Sequence, residues 1–312
     1  MEKWRVWAVL LSLLVGAAAA EEAGGRPVIE TILAPSGREA TADWSKGEFR
    51  AVGMAPRQPD APPALEVAWM RRVAMADAYR TLVESLSGVR VTAETTVEKM
   101  MLVSDTIKTR VEGVLRGFRI VQEGMDAKGA LYLVTVAVGL TSDANVPSLA
   151  AVTVPSVAAV EQAIVAARAG KEPVPAPPPI SVPVLAPTPP TPLPERKAGP
   201  YSGLVVDTRG FGLKPCMAPK IMRRDRSEVW GTVQVSAAFV NSTGIVGFVK
   251  DLKDALNPTL RAGDNPLVVR AVGRHGSVWA DAVVSDEDAA LILEENGKSK
   301  FLDRFKVIFV ID

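Results

Sequence analysis

The longest amphipathic pattern in the chain lies between residues 62 and 88. Apolar side chains recur there every three or four residues, which is typical of one face of an α-helix; they are Leu65, Trp69, Val73, Ala76, Tyr79, Val83 and Leu86. Pro62 and Pro63 suit the start of a helix, and Gly88 suits its end. The pattern predicts a helix of about six turns whose opposite face carries Arg71, Arg72, Arg80 and Glu84.

Strand-like patterns surround this helix. Four segments show them: 47–55, 89–97, 118–123 and 130–140. A weaker helical pattern covers residues 98–110. These elements predict an α+β domain over residues 44–145, with helices packed on one face of a mainly antiparallel sheet. A short amphipathic helix over residues 156–170 follows.

A Pro-rich linker follows the short helix. Residues 171–200 contain 12 of the 24 prolines in the chain, too many for a helix or a sheet, so an extended polyproline II form is expected. A ligand for a proline-reading domain is the alternative to a semi-rigid spacer, which would reach about 90 Å if fully extended.

Beyond the linker, residues 201–312 predict a second α+β domain. Strand patterns lie near 228–236, 266–272, 278–284 and 304–311, and the last of them is apolar enough to be central in its sheet. Between them, residues 244–258 predict a helix that ends at Asn257 and Pro258.

Residues 1–20 have the composition of a secretory signal peptide. Lys3 and Arg5 precede an apolar run from Val6 to Val15, and the small residues Ala18, Ala19 and Ala20 follow. The run is too short to span a bilayer, so cleavage after Ala20 and export to the periplasm are expected, with a position at the outer membrane as one option. An uncleaved anchor is the alternative. No later run approaches spanning length, which predicts no transmembrane span in the mature chain.

The charge balance and the cysteine content argue against nucleic acid as a partner, against a lipid anchor and against a disulfide. Loss of residues 1–20 removes Glu2, Lys3 and Arg5 and leaves 34 basic against 34 acidic residues, a balance that argues against nucleic acid as the main partner. No cysteine stands directly after the signal to carry a lipid. The single cysteine, Cys216, excludes an intramolecular disulfide and is expected to be a packed, inert thiol.

The sequence offers little catalytic chemistry. His275 is the only histidine and lies between glycines, so we expect it in an exposed loop. The acidic residues after Ser285 suit the first turn of a capped helix better than a metal site. We therefore expect no catalytic residues, metal or cofactor. Catalysis by carboxylates alone would require acids such as Asp207 and Asp281 to converge.

A basic run follows the linker. It contains six cations: Arg209, Lys214, Lys220, Arg223, Arg224 and Arg226. These residues could bind an anionic envelope glycan or lipid. The simpler interpretation is a solvated loop with ordinary charges.

Three segments carry a resemblance to a known family. They read AMADAYRTLVESLSGVRVTAETTV, VEGVLRGFRIVQE and LYLVTVAVGL. Residues 44–142, which contain them, resemble the twenty-kilodalton Lpp-type envelope lipoprotein family and the related N-terminal domain of flagellar assembly protein T. The resemblance implies a noncatalytic envelope component, in the flagellar case one that assembles around the motor.

These observations predict an exported, two-domain docking or assembly module. Its first domain would contact envelope proteins, flagellar basal-body proteins or copies of itself, through Arg71, Arg72, Arg80 and Glu84 or through a sheet edge. The linker would let the second domain reach a separate partner. Binding of an anionic glycan or lipid by the basic run 209–226 is the alternative function.

Overall fold

The computed structural model describes residues 25–57, 62–141, 148–169, 192–231, 240 and 244–312. The predicted signal peptide and most of the Pro-rich linker lie outside the described residues. The first half of the chain forms a five-stranded antiparallel sheet in the order β1-β2-β3-β5-β4. Its strands are β1 (Ile29–Leu33), β2 (Glu39–Asp43), β3 (Glu48–Pro56), β4 (Arg119–Met125) and β5 (Leu131–Gly139).

Five helices accompany this sheet among the described residues. They are α1 (Pro63–Glu84), α2 (Val97–Val103), α3 (Asp105–Arg116), α4 (Leu149–Thr153) and α5 (Val157–Ala169). Helix α1 packs on β3 and β5, and a 3₁₀ turn over Ser85–Gly88 follows it. The predicted α+β class is confirmed. Strands β1 and β2 extend the sheet before residue 44, where no strand was predicted.

The buried face of α1 differs from the prediction. Met70, Ala74, Ala78 and Leu82 are fully buried at steps of four residues. The backbone of α1 lies directly on β3, since a Cβ added to Gly53 would come within 2.1 Å of the Ala74 carbonyl oxygen. The small side chains of Ala74 and Ala78 permit this close approach, and they set which face meets the sheet. The predicted stripe is divided. Four of its residues are exposed, two are half-buried against the core and Leu86 is buried; the exposed ones are Leu65, Trp69, Ala76 and Val83, and the half-buried ones are Val73 and Tyr79.

The predicted strand over residues 89–97 is absent. The segment bends back on itself, with the Val91 amide donating to the Thr95 carbonyl over 2.9 Å, and it contains only an isolated bridge between Arg90 and Thr96. The carbonyls of Arg90, Val91 and Ala93 accept hydrogen bonds from the second half of the chain instead of from a sheet neighbour. Buried β-branched residues therefore gave a strand-like pattern to a buried loop.

The second half forms a seven-stranded sheet in the order β8-β7-β11-β10-β6-β12-β9. Its strands are β6 (Gly203–Asp207), β7 (Ile221–Met222), β8 (Glu228–Trp230), β9 (Gly247–Val249), β10 (Pro266–His275), β11 (Asp281–Val284) and β12 (Val307–Val310). The expected antiparallel character holds for the first sheet. In the second, four of the six pairings between described strands are parallel.

Helices α6 (Leu252–Ala255) and α7 (Asp286–Ser299) complete the described elements of the second half. The predicted helix over residues 244–258 is wrong: the segment forms strand β9 and then the short α6. Strand β9 pairs in parallel with β12, and its Phe248 ring lies 6.0 Å from the Phe309 ring. This tertiary pairing outweighs the helical periodicity of the segment. Strand β12 is fully buried between β6 and β9.

The two halves contact each other, a relation that the sequence left open. The 89–97 loop provides the seam: the amides of Met217 and Ala218 donate to the Arg90 and Val91 carbonyls over 3.2 and 2.8 Å, and the Val278 amide donates to the Ala93 carbonyl over 3.0 Å. The end of the linker is also anchored, since Arg196 Nη2 lies 2.6 Å from Asp288 Oδ1 on α7.

Candidate docking surface on helix α1

The outward face of α1 is apolar as well as charged. We define the outer stripe as Leu65, Trp69, Arg72, Ala76, Arg80 and Val83, which are all exposed. Leu65, Trp69 and Val83 expose 64%, 38% and 39% of their surface. The stripe spans about 27 Å at 1.5 Å per residue. The helix therefore has two apolar faces, and the sheet covers only one of them.

The structure divides the four predicted contact residues into two pairs. Arg72 and Arg80 lie on the outer stripe, and neither makes an ion pair with another described residue. Arg71 lies at its flank and binds Glu123 of β4, with Nε 2.7 Å from Oε2. Glu84 accepts a hydrogen bond from the Ser36 hydroxyl. Arg71 and Glu84 therefore hold α1 against its own domain, and the free cations are Arg72 and Arg80.

The six cations of the basic run do not form one surface. Arg209 lies at the end of β6, where its Nε and Nη2 donate to Asp207 over 2.8 and 2.9 Å. Arg223, Arg224 and Arg226 lie around the β7–β8 hairpin, and two strands, β10 and β11, separate β6 from β7. Lys220 pairs with Glu228, with Nζ 3.4 Å from Oε2, and Lys214 is exposed. Glycan or lipid binding by this run stays a prediction.

The two carboxylates considered for catalysis do not converge. Asp207 pairs in register with Arg270 of β10, and Asp281 with His275 of the same strand. The five-residue separation along β10 corresponds to about 16 Å. The cluster of acids at Asp286 to Asp288 lies in the first turn of α7. The Ser285 hydroxyl accepts a hydrogen bond from the Asp288 amide over 3.0 Å, as the capping interpretation predicts. No group of side chains suited to a metal ion occurs among the described residues.

A polar cluster at the seam was not predicted. His275, expected in an exposed loop, is half-buried at the end of β10, with Nδ1 3.8 Å from Asp281 Oδ2. Burial raises the pKa of Asp281 to about 7, although the Lys220 amide donates to its carboxylate over 2.8 Å. The fully buried Cys216 lies beside it, and burial raises the pKa of that thiol well above its ordinary value. The sequence could not indicate this cluster, because it joins residues 216–220 to residues 275–281, two segments that are distant in the chain.

Two family comparisons match separate parts of the chain. Residues 36–138 match the LPP20 lipoprotein family, and residues 203–312 match the second domain of Treponema pallidum Tp0624. Comparison with individually characterised proteins found no match. The first likeness supports an exported, envelope-associated protein of the lipoprotein type, and LPP20 is not a known enzyme family. Within the described ranges, no helix has the length and apolar character needed to cross a membrane.

Proposed function

We propose that this protein is a noncatalytic docking module of the bacterial cell envelope, which contacts another envelope component through the outer stripe of α1. The observation that carries the proposal is the second apolar face of α1, exposed although the helix is already packed on its sheet. Single exposed apolar residues are ordinary on protein surfaces. An aligned set that includes a tryptophan is typical of an interaction surface.

The energetics of the stripe suit docking. Covering the exposed parts of Leu65, Trp69 and Val83 contributes roughly 1 kcal/mol for each side chain. The gain requires no unfolding of the domain, because Met70, Ala74 and Ala78 continue to hold α1 on the sheet. The likeness to LPP20 lipoproteins supports the envelope setting. The resemblance to flagellar assembly protein T adds basal-body proteins as one class of partner, with the periplasm as the compartment.

Photo-crosslinking in intact envelopes tests this proposal. Val83, which lies on the outer stripe and away from Ala76, is replaced by benzoyl-phenylalanine, and the control carries the same replacement at Leu102, which is 81% exposed at the end of α2. We expect a discrete adduct from position 83 that disappears when Trp69→Ser is added, and no such adduct from position 102. No adduct at position 83, or the same adducts from both positions, would contradict docking through the stripe.

A further inference from the structure

We infer that the outer stripe receives an acidic amphipathic helix of a partner protein, which crosses α1 at Ala76. This inference rests on the proposed docking function and specifies the chemistry of the partner. It follows from three features of the stripe: the charges that border it, the dip at its centre, and the effect of pairing it with itself.

The first feature is uncompensated positive charge. The outer stripe contains two arginines and no acid. The acids elsewhere on α1 already have partners. Glu66 binds Arg57, with Oε1 3.0 Å from Nε, and Glu84 accepts a hydrogen bond from Ser36. Asp77 binds Arg38 and accepts a hydrogen bond from the Met54 amide over 3.1 Å. Arg72 and Arg80 are therefore available to carboxylates of a partner.

The second feature is the shape of the stripe. At about 100° per residue, Arg72 and Arg80 lie about 40° to either side of Ala76 and about 12 Å apart along the axis. Leu65, Trp69 and Val83 lie within about 20° of the line through Ala76. The result is a narrow apolar strip on α1 with a dip at Ala76 and an arginine on each side. Such a dip accepts the ridge of a second helix. Cations beside an apolar strip favour a partner helix that carries acidic residues beside its own apolar face.

The third feature is poor self-complementarity. A two-fold axis through Ala76 would place Arg72 of one copy opposite Arg80 of the other, and a parallel arrangement would place like arginines together. Both arrangements set cation against cation, which is unfavourable. A lipid surface also fits less well, because interfacial helices insert a broad, protruding apolar face, whereas the apolar strip on α1 is narrow and lowest at its centre.

The probes are two synthetic helical peptides of about three heptads. Both carry leucine at the a and d positions; one carries glutamate and the other lysine at the e and g positions. Fluorescence anisotropy with the mature protein measures both affinities. We expect the glutamate peptide to bind at least about tenfold more tightly than the lysine peptide, and Arg72→Glu/Arg80→Glu to reverse that preference. Ala76→Met fills the dip without changing the charge, and it should lower the affinity for the glutamate peptide by about tenfold.

The matched control is Arg110→Glu/Arg116→Glu on α3, which makes the same charge change at two exposed positions and should leave peptide binding unchanged. Equal affinity for the two peptides would overturn the inference. So would binding of phosphatidylglycerol vesicles in place of the glutamate peptide, or self-association through the stripe. If the adduct from position 83 is found while the two peptides bind equally, the docking function stands and the acidic helix is wrong.

Discussion

Asp207 and Asp281 are both buried in the second sheet, yet their surroundings shift their pKa values in opposite directions. Burial alone raises the pKa of both. At Asp207, hydrogen bonds from Arg209 and Arg270 outweigh burial and hold the pKa below its ordinary value. At Asp281, the Lys220 amide does not compensate, and Glu94 and Glu228 add negative charge. Asp207 is therefore an ionised structural group, and Asp281 titrates near neutral pH.

The titration of Asp281 makes stability depend on pH. Because its pKa rises from 3.8 to about 7, the folded protein holds a proton that the unfolded chain releases between those values. Stability should be highest at the acidic end of this window, fall as pH rises to about 7, and then level off. We expect a higher melting temperature at about pH 5 than at about pH 8, and a smaller difference in Asp281→Asn.

Circular dichroism melts at the two pH values measure this effect. The charged and titratable groups that face the carboxylate (Lys220, His275, Glu94 and Glu228) remain in the variant. Asp303→Asn removes an acid at an exposed position and is the control for net charge. An Asp281→Asn variant that kept the full difference between the two pH values would assign the pH dependence to another group.

At the scale of elements, α1 could be predicted but its orientation could not. Prolines at its start and apolar periodicity placed the helix correctly, because these signals are local. The buried face was decided by a contact that is not local, since the approach of Gly53 to Ala74 and Ala78 selects small side chains over larger ones. The prediction of a helix in place of strand β9 was wrong for a related reason. The pairing of β9 with β12 joins segments about sixty residues apart, which no local pattern encodes.

The contact between β3 and α1 predicts a large effect of one methyl group. In Gly53→Ala, the added Cβ would lie 2.1 Å from the Ala74 carbonyl oxygen and 2.2 Å from the Ala78 amide nitrogen. Neither backbone atom can move without displacing α1, so we expect a loss of about 3 kcal/mol or more in the free energy of unfolding. Urea denaturation measures it.

Gly113→Ala on α3 is the matched control for that substitution. A Cβ at position 113 meets no atom within 4 Å, and alanine favours a helix over glycine, so we expect a gain of up to about 1 kcal/mol. Equal stability of the Gly53→Ala and wild-type proteins would mean that α1 does not rest on β3 as described.

At the scale of the whole molecule, the seam joins two halves that the sequence presents as independent. The linker composition predicts a boundary between them, but composition carries no information about whether domains touch. The side chains that meet at the seam come from distant segments: the Trp44 ring, which follows β2, lies 6.0 Å from the Phe248 ring of β9. The 89–97 loop adds backbone hydrogen bonds. The outer stripe of α1 therefore belongs to a half that is joined to the other by direct contacts.

Gly276 offers the sharpest test of this joining. Its φ of +92° disfavours any side chain, and an added Cβ would lie 2.2 Å from the Cβ of Ala93 across the seam. In Gly276→Ala we expect the halves to separate locally, which should accelerate hydrogen exchange of the seam amides of Met217, Ala218 and Val278 by at least about tenfold.

Gly37→Ala separates backbone strain from the clash, because Gly37 has a φ of +81° and open space around its Cβ position. It should destabilise β1 and β2 slightly and leave exchange at the seam unchanged. If both variants show the same seam exchange as the wild type, Ala93 and Gly276 do not meet in solution. The two halves would then act as separate domains, and the linker would again be free to carry the second half to a partner of its own.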